Sequence, residues 1–278
     1  MTDIEKSFAL NKARWSEVVE IHARAPFYRV AEFLRGEDVL YPIERAEIGP
    51  LGGKRVLHLQ CHLGLDTLCL ARRGAIATGL DFSPQAIAKA EELSRTAGIP
   101  ARFVEGNVYD TPRLIAERFD VVYVTWGAIC WLPDIARWAE VVAEMLAPGG
   151  FLYLLEGHPY AHVLEQAEAS DPLVATYDYF QGATPLIFHE AASYADPDAK
   201  VVNRESHEWN HPIGAILNAL IRAGLALEWL HEHDNLAWRL YKCLEEGPDR
   251  MFRLPAGRPK LPLAFSLKAS SPLAKTGT

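Results

Sequence analysis

The sequence predicts an α/β fold with a seven-stranded, mostly parallel sheet and helices on both of its faces. Two observations predict it. Short apolar segments alternate with helical periodicity from residue 55 to residue 156, and such alternation is typical of parallel sheets covered by crossover helices. The segment 119–125 is almost wholly apolar, as a strand buried on both faces requires.

Each strand and helix of this region can be located from its pattern. Ser83 and Pro84 are typical of an N-cap and of a first helical residue, so a helix is predicted over 84–97. A Pro-Gly-Gly turn at 146–150 returns the chain into a further strand. The predicted strands are 55–60, 76–81, 101–105, 119–125 and 151–156, and the other predicted helices are 65–73 and 135–146.

Further regions flank this predicted core of residues 53–156. Residues 1–52 form a predicted helical cap, with helices over 4–25 and 30–34. Residues 157–210 interrupt the rhythm and are rich in aromatic residues and histidine, so they are interpreted as an insertion that forms a lid with the N-terminal helices. The remaining predictions are strands over 184–188 and 200–209, completion of the sheet by 211–268 with a helix over 213–223 and strands over 225–231 and 261–268, and a flexible tail over 269–278.

The composition argues against several classes of protein. The formal net charge is -8, so the surface repels phosphate backbones and general nucleic-acid binding is disfavoured. The four cysteines form no CxxC pair, which argues against a zinc site and suits a reducing compartment. The N-terminus lacks the apolar core of a signal peptide, and no apolar run approaches the roughly 18 to 20 residues that a membrane helix needs. The sequence therefore predicts a cytoplasmic protein that binds neither nucleic acid nor membrane.

Candidate ligand-binding residues follow the predicted strands, because ligands of open α/β sheets bind at the carboxyl ends of the strands. Asp81 ends the second strand, 17 residues after Gly64, and its carboxylate is suited to hydrogen bonds with both hydroxyls of a ribose. The alternative role, an N-cap for the next helix, is already served by Ser83. After the third strand, Asn107 and the backbone of Val108 are candidates for the edge of an adenine, and a plain Gly-Asn turn is the alternative.

Taken together, the segments 56–64, 79–83, 106–110 and 146–150 resemble the class I S-adenosylmethionine (SAM)-dependent methyltransferases. The resemblance is strong over residues 53–156 and extends more loosely to the last two predicted strands. It implies that the final strand runs antiparallel to the others. It also implies that SAM is the cofactor, S-adenosylhomocysteine (SAH) the product, and the chain an enzyme of class EC 2.1.1.-.

The resemblance implies a role for each matching position. The loop 60–64 would lie along the methionine part of SAM, Asp81 would bind the ribose, and Phe82 would pack on the adenine. Thr125 and Trp126 would border the transferable methyl group. The implied cofactor-binding residues are Gln60, Cys61, His62, Gly64, Asp81, Phe82, Ser83, Gly106, Asn107, Val108, Thr125 and Trp126.

The loop after the first strand departs from the pattern of the class. The class usually has an acidic residue at the position of His58 and glycines at the positions of Gln60 and His62, so a ligand has less room to approach the backbone here. The same two residues argue against a dinucleotide-binding dehydrogenase, whose turn glycines open the loop for a pyrophosphate. They also motivate an alternative interpretation, a SAM-binding protein that transfers no methyl group.

Methyl transfer from a sulfonium is a direct displacement, so the protein mainly aligns the reactants and excludes water. A base is needed only for an acceptor that must lose a proton. The candidate is His158, just after the fifth strand, with a structural histidine as the alternative. The acidic charge and the aromatic insertion favour a small organic acceptor over the alternative of a protein or RNA substrate. The candidate substrate residues are Trp15, Tyr28, Tyr160, His189 and Trp209, with a purely structural role as the alternative for each.

One histidine pair has the spacing of a metal motif. His207 and His211 match the HExxH string, but that motif places both imidazoles on one face only when it lies on a helix. Here it ends a predicted strand and adjoins Pro212, so no metal is predicted. The sequence does not determine the oligomeric state, and since dimers are common in the class, a homodimer stays open.

Overall fold

Seven strands form the central sheet of the computed structural model, which describes residues 2–273. They are β1 (Arg55–Leu59), β2 (Ile76–Asp81), β3 (Arg102–Glu105), β4 (Phe119–Thr125), β5 (Leu146–Gly157), β6 (Ala226–His233) and β7 (Ala264–Ser270). Their order across the sheet is β3-β2-β1-β4-β5-β7-β6. The strands β1 to β5 run parallel, and β7 is antiparallel to both of its neighbours. The predicted sheet with an antiparallel last strand is confirmed.

The helices begin and end at residues with clear capping chemistry. Ser83 accepts a hydrogen bond from the backbone of Ala86, and Gly98 ends the same helix in the left-handed conformation. At the N-terminus, Thr2 and Glu5 form a reciprocal capping box. The α-helices are α1 (Asp3–Arg24), α2 (Val30–Leu34), α3 (Pro42–Glu47), α4 (Leu65–Arg72), α5 (Pro84–Ala97), α6 (Thr111–Leu114), α7 (Ile135–Met145) and α8 (Ile213–Arg222).

Alternation along the central strands divides the apolar core into two layers. Val122 and Val124 belong to the layer that contains α7 and α8, whereas Val121 and Tyr123 belong to the opposite layer, with α2 and α4. All four side chains are fully buried. Burial on both faces explains why this strand is a continuous apolar run in the sequence rather than an alternating one.

The chain reverses its direction across the sheet between β1 and β4. Strands β1, β2 and β3 are laid down in one direction, and the chain then crosses back to place β4 on the other side of β1. At such a switch point the loops after the two strands diverge and leave a crevice at the carboxyl edge. The loops 60–64 and 126–131 therefore flank the crevice where a ligand is expected.

The insertion, residues 158–210, packs against α1. Its main feature is an antiparallel pair of strands, Leu186–His189 and Glu205–Glu208. Arg14 of α1 donates to backbone carbonyls of the insertion and pairs with the Glu190 carboxylate at 2.8 Å. The side chain of Asn11 exchanges two hydrogen bonds with the backbone of residue 207. The N-terminal helix and the insertion thus form one cover over the carboxyl edge of the sheet.

The structure differs from the prediction between β6 and β7. Residues 234–263 do not simply complete the central sheet, because three two-residue strands, Asn235–Leu236, Glu245–Glu246 and Phe252–Arg253, form a separate small sheet. Strands this short leave no alternation that a sequence pattern can reveal. The predicted tail is also wrong at its start, since β7 continues to Ser270; residues 274–278 lie outside the described part.

Other predicted elements are present with shifted ends. The strand predicted over 151–156 begins at Leu146, because Leu146 already pairs with Phe119 of β4 before an irregularity in the register. The insertion strands predicted over 184–188 and 200–209 are shorter or displaced in the structure. In the part of the chain that the structure describes, no helix is both long enough and apolar enough to cross a membrane.

Candidate active site

A cavity of about 790 Å³ lies at the carboxyl edge of the sheet. The loops after β1, β2, β3 and β4 line one part of it, which we call the sheet end. Another part, which we call the insertion end, is lined by residues 162, 164–167, 177, 188, 208 and 237–241. Cavities of about 300–1,000 Å³ are typical of small-molecule sites.

On the loops after β1 and β4, three residues that line the cavity have a strained backbone. Gln60 and His62 have φ values of 56° and 48°, and Trp126 on the loop after β4 has φ 56°. This left-handed region is unfavourable for residues with a Cβ, and such strain is concentrated at functional sites. The loop after β1 therefore keeps a conformation that glycines usually provide, although its side chains are bulky.

The side chain of Gln60 joins the two loops of the switch point. Its Nε2 donates to the carbonyl oxygen of Ala128 at 2.8 Å. Its Oε1 is buried and has no hydrogen-bond partner among the described residues. Buried polar atoms are rarely left unpaired, so this oxygen marks a position where a bound ligand would supply a donor.

Asp81 occupies the tip of β2 with both carboxylate oxygens already oriented. Oδ2 accepts the backbone N–H of His62 and Oδ1 accepts that of Ser83, each at 2.9 Å. Burial raises the pKa of this carboxyl to about 6, and the two backbone donors oppose that rise. Each oxygen keeps a free lone pair, so the group can accept two further hydrogen bonds from the cavity.

Residues after β2 and β3 line the neighbouring part of the sheet end. Phe82, Gly106, Asn107 and Val108 all face the cavity. The Oδ1 of Asn107 accepts the backbone N–H of Tyr109 at 3.0 Å, which fixes the amide while one lone pair of the oxygen remains.

A buried carboxylate holds the loop after β4 in place. Both oxygens of Glu156, near the end of β5, accept backbone N–H groups from Gly127, Ala128 and Ile129 at 2.6–2.9 Å. Burial raises the pKa of Glu156 to about 6, and the three donors counteract this effect. The side chain of Glu156 thus fixes the loop after β4, which faces the cavity.

Imidazole and phenol rings close the cavity beside the β1 loop. His22 of α1 is hydrogen-bonded to His62 at 2.8 Å and to Ser193 of the insertion at 2.7 Å. Tyr28 stacks on His22, and the Trp15 ring contacts His62 edge-on. Burial lowers the pKa of His22 to about 2 and that of His62 to about 3, so both rings are neutral at pH 7 and act as hydrogen-bonding packing groups.

The acidic side chains near this loop come from α3 and α4 and not from β1. His58 is buried against Thr67, and burial lowers its pKa to about 3, so this position supplies no charge. Asp66 in the first turn of α4 lines the cavity, and burial raises its pKa to about 6. Buried Glu44 of α3 accepts the indole N–H of Trp126 at 2.7 Å and so orients that strained residue.

At the insertion end, Glu208 presents a carboxylate to the cavity. Its only hydrogen bond within the described residues is a long one, 3.4 Å, from the Ser206 hydroxyl. Burial and the nearby Glu190 carboxylate raise its pKa to about 7. Aromatic rings of Tyr177 and Phe188 line the same part of the cavity, together with Trp238.

Most of the sequence-predicted cofactor residues line the cavity, and Gly64 and Ser83 do not. Gly64 starts α4 with φ 73°, and a Cβ there would come within 2.6 Å of the Ala90 side chain, so its role is close packing of α4 against α5. Ser83 caps α5 and bonds Ser16 of α1 at 2.9 Å.

Of the predicted substrate residues, Trp15 and Tyr28 line the cavity, whereas Tyr160, His189 and Trp209 do not. His189 and Trp209 each follow a cavity-facing residue in sequence, and consecutive residues of an extended segment point to opposite faces. Tyr160 is largely exposed.

The predicted base His158 is also outside the cavity lining. Its backbone N–H bonds Leu263 just before β7, and its ring lies 3.2 Å from Glu232 of β6. It is turned away because the chain after β5 continues beside β7 rather than beside β4. His207 and His211 use ring nitrogens in bonds to Ser7 and to the Leu132 carbonyl, and residues 2–273 hold no cluster of three or more potential metal ligands.

Comparison with known proteins agrees with this geometry. A family described as a methyltransferase domain matches residues 56–150. The ubiquinone biosynthesis O-methyltransferase of Photorhabdus laumondii is 25% identical over 182 residues, which are 65% of this chain and 72% of that protein. A SAM-dependent methyltransferase structure from Mesorhizobium loti has a TM-score of 0.58 at 23% identity, covering 85% of this chain and 99% of the other. The CcbJ methyltransferase of Streptomyces caelestis has a TM-score of 0.61 at 16% identity, covering 95% and 99%.

The chain is a SAM-dependent methyltransferase with a Rossmann-like fold, and its residues 56–150 match a methyltransferase domain. Its cofactor is SAM. The sequence patterns missed several residues that line the cavity of this methyltransferase. Only some of these residues stand at positions that the sequence could have singled out. Asp66 is an acid in the first turn after the cofactor loop, which is a recognisable position. Arg14, His22, Glu208 and Trp238 come from α1, the insertion and the segment 234–263, where no motif points to them.

Proposed function

We propose that this methyltransferase transfers the methyl group of SAM to a small organic acceptor inside the cavity. The observation that carries the proposal is the shared cavity. Its sheet end holds the residues that match the class, and its insertion end is walled by aromatic side chains. Concave, mostly apolar sites with a few convergent polar groups are typical of small-molecule binding.

The sheet end fits the adenosine part of SAM. Asp81 accepts the two ribose hydroxyls through the lone pairs that His62 and Ser83 leave free. Phe82 packs on the adenine, and Asn107 with the backbone of Val108 reads its edge. The fit rests on an oriented carboxylate, since a carboxylate that needs no reorientation binds hydroxyls at low entropic cost.

The methionine part of SAM faces a loop without the usual acid on β1. Neutral His58 cannot balance an ammonium group, whereas Asp66 and Gln60, whose Oε1 is buried without a partner among the described residues, both line the cavity there. We assign the ammonium to these two groups. The bound cofactor supplies an electrophilic methyl group on a positively charged sulfur.

The chain contributes alignment and exclusion of water to the transfer. The loop 126–129, fixed by Glu156, borders the methyl group, while α1 and the insertion cover the cavity from solvent. In-line approach of a nucleophile in a closed site accelerates displacement through proximity and desolvation.

The chemistry of the acceptor is less constrained than that of the donor. The relatives named O-methyltransferases suggest a small-molecule acceptor, but the family match ends at residue 150, before the insertion that lines the far part of the cavity. A protein or RNA substrate is the alternative, and the net charge of -8 with a covered cavity disfavours it. A SAM-binding protein without transfer is the second alternative.

Calorimetric titration with SAM and SAH, followed by a methylation assay, tests the proposal. We expect micromolar binding of both ligands and methylated product from at least one compound in a panel of phenols and amines, detected by mass spectrometry. Binding without turnover of any acceptor would favour the non-catalytic alternative. Methylation of protein or RNA but not of small molecules would contradict the proposal.

The Asp81→Ala variant isolates the cofactor site. We expect its SAH affinity to fall by at least about 100-fold, since each of the two hydrogen bonds to this charged group is worth about 1.5–3 kcal/mol. The control is Glu117→Ala, which removes an exposed partner of Arg102 far from the cavity and should leave SAH affinity unchanged. Unchanged affinity in Asp81→Ala would contradict the assignment of the ribose to this residue.

A further inference from the structure

The insertion end carries a carboxylate that has no ion-pair partner among the described residues. Glu208 is partly buried and lines the cavity, and within residues 2–273 its carboxylate has one hydrogen bond, the 3.4 Å contact from Ser206. The charge of Arg14 acts on this carboxylate, but the Arg14 guanidinium is already used by Glu190 and by four backbone carbonyls. A buried carboxylate without a partner is costly, so the site is completed by a ligand that brings a positive charge.

The side chains around this carboxylate suit a cation attached to a ring. Glu208 and Ser206 share a face of their strand, and the paired residues Leu186 and Phe188 of the neighbouring strand share the same face. The ring of Tyr177 packs edge-on against Phe188, with centroids 5.6 Å apart. Aromatic faces attract organic cations and also pack against apolar rings.

The position of Glu208 relative to the loop after β4 connects it to the reaction. The next residue in the chain, Trp209, donates its backbone N–H to the carbonyl oxygen of Cys130 at 2.7 Å. The strand that carries Glu208 therefore runs directly beside the loop 126–131, whose first residues line the sheet end of the cavity. A group held by Glu208 lies in the same cavity as the methyl donor.

We propose that Glu208 binds the ammonium group of an amine acceptor, so that the enzyme is an N-methyltransferase for a small arylalkylamine. This inference rests on the proposed function. In the transfer, the ammonium gives one proton to the Glu208 carboxylate, breaking an N–H bond and forming an O–H bond. The nitrogen lone pair then forms the new N–C bond, and the S–C bond breaks with its electron pair kept by sulfur, which yields SAH.

Two compounds of equal shape test the proposal without knowledge of the natural acceptor. They are 2-phenylethylamine and its neutral analogue 2-phenylethanol, titrated at pH 8 into the protein saturated with SAH. We expect the amine to bind at least tenfold more tightly than the alcohol, and Glu208→Gln to abolish the difference. Equal affinities, tighter binding of the alcohol, binding of neither compound at millimolar concentration, or a preference that survives Glu208→Gln would each overturn the proposal.

The matched control is Glu205→Gln. Glu205 lies on the same strand, outside the cavity lining, and pairs with His207 at 3.0 Å. This variant removes the same charge from the same strand. We expect it to keep the amine preference, because Glu205 does not face the cavity. Loss of the preference in this variant as well would show an indirect effect and would overturn the role of Glu208.

The pH dependence adds a second readout. The charged and titratable groups around Glu208 are Arg14, Glu190, Cys130 and Tyr177. The burial that raises the pKa of Glu208 to about 7 makes it lose its charge as the pH falls below 7, whereas an alkylammonium stays charged up to about pH 10. The amine preference should therefore fall between pH 8 and pH 6 in the wild type, and a constant preference would contradict the proposal.

The outcomes separate this inference from the proposed function. SAH binding is measured first, and its absence would refute the cofactor site whatever the amine does. The amine and alcohol titrations can then be repeated without SAH and report on Glu208 alone. SAH binding together with methylation of phenols only would retain the proposed function and reject the amine acceptor.

Discussion

The two ends of the cavity are built from different kinds of structure. At the sheet end, each ligand-facing group follows a strand of the parallel sheet, and its position is set by the switch point between β1 and β4. At the insertion end, the lining comes from the insertion and from the segment 234–263, which belong to no repeating pattern. The fold therefore fixes the lining of the sheet end, whereas segments outside the central sheet build the insertion end.

The carboxylates at the two ends differ in the same way. Asp81 accepts two backbone N–H groups at 2.9 Å and is preorganised by its own loop. Among residues 2–273, the Glu208 carboxylate has only a 3.4 Å contact with the Ser206 hydroxyl. The first carboxylate is oriented before a ligand arrives, and the second acquires its main partner from the ligand. Variants at the two ends, and in the loop between them, test whether the two carboxylates differ in this way.

The largest effect is expected at Glu156, the side chain that fixes the loop between the two ends. In Glu156→Ala, the backbone N–H groups of Gly127, Ala128 and Ile129 lose their acceptor. We expect the free energy of unfolding in a urea titration to fall by about 3–5 kcal/mol, because unpaired buried donors cost about 1–3 kcal/mol each.

The control for this variant is Glu228→Ala, which removes an exposed partner of Lys268. Its free energy of unfolding should change by less than about 1 kcal/mol. If both variants lose the same small amount, the loop between the two ends is held by its own backbone. The interpretation that the Glu156 carboxylate holds the loop between the two ends of the cavity would then be wrong.

The sequence allowed the sheet end to be predicted almost residue by residue, and the reason is geometric. A parallel strand ends at the carboxyl edge by construction, so Asp81 and Asn107 could be placed in one crevice from their positions after apolar runs. Thr125 was added by the resemblance to the class. Gly64 and Ser83 fell outside the lining because a motif position reports the local backbone, not the direction of the side chain.

The insertion end could not be predicted for the opposite reason. His158 follows β5 and should have shared the crevice, but its chain direction depends on pairing with β7, more than a hundred residues later. His189 and Trp209 were one residue away from Phe188 and Glu208. On an extended segment, a register error of one residue exchanges the cavity face for the opposite face.

The next expected effect concerns pH and the sheet end. Burial raises the pKa of Asp81 to about 6, so the carboxylate is charged above that pH and takes up a proton below it. Because hydrogen bonds from ribose hydroxyls favour the charged form, SAH affinity measured by calorimetry should be constant from pH 8 to 7. It should fall by up to about tenfold per pH unit below 6.

The control for this pH dependence is Asp81→Asn, which keeps the shape and cannot ionise. We expect weaker SAH binding at pH 8 and a shallower fall between pH 6 and pH 5. An unchanged slope would assign the titration to Asp66, whose pKa burial also raises to about 6. The preorganised anion of the sheet end would then belong to the methionine part of the cofactor rather than to the ribose.

The smallest expected effect is at Gln60, where two variants separate the cost of the strained backbone from the loss of the side-chain hydrogen bond. Gln60→Ala and Gln60→Gly both remove the amide that bonds the Ala128 carbonyl, but only alanine retains a Cβ at φ 56°. We expect the glycine variant to be more stable than the alanine variant by about 1 kcal/mol in urea unfolding, since left-handed backbone favours glycine. Both variants should lose SAH affinity equally, because the Oε1 is missing in both.

A different result at Gln60 would change how the departure from the class pattern is understood. If glycine binds SAH more tightly than alanine or wild type, the bulky loop restricts donor binding, and the unpartnered Oε1 has no ligand. If the affinities of the two variants fall together, the strained glutamine is a binding group that also links the loop after β1 to the loop after β4. The second outcome would mean that the Gln60 side chain binds the cofactor where the class usually exposes the glycine backbone of this loop. The sheet of this enzyme would then follow the class pattern, whereas the loop after β1 would not.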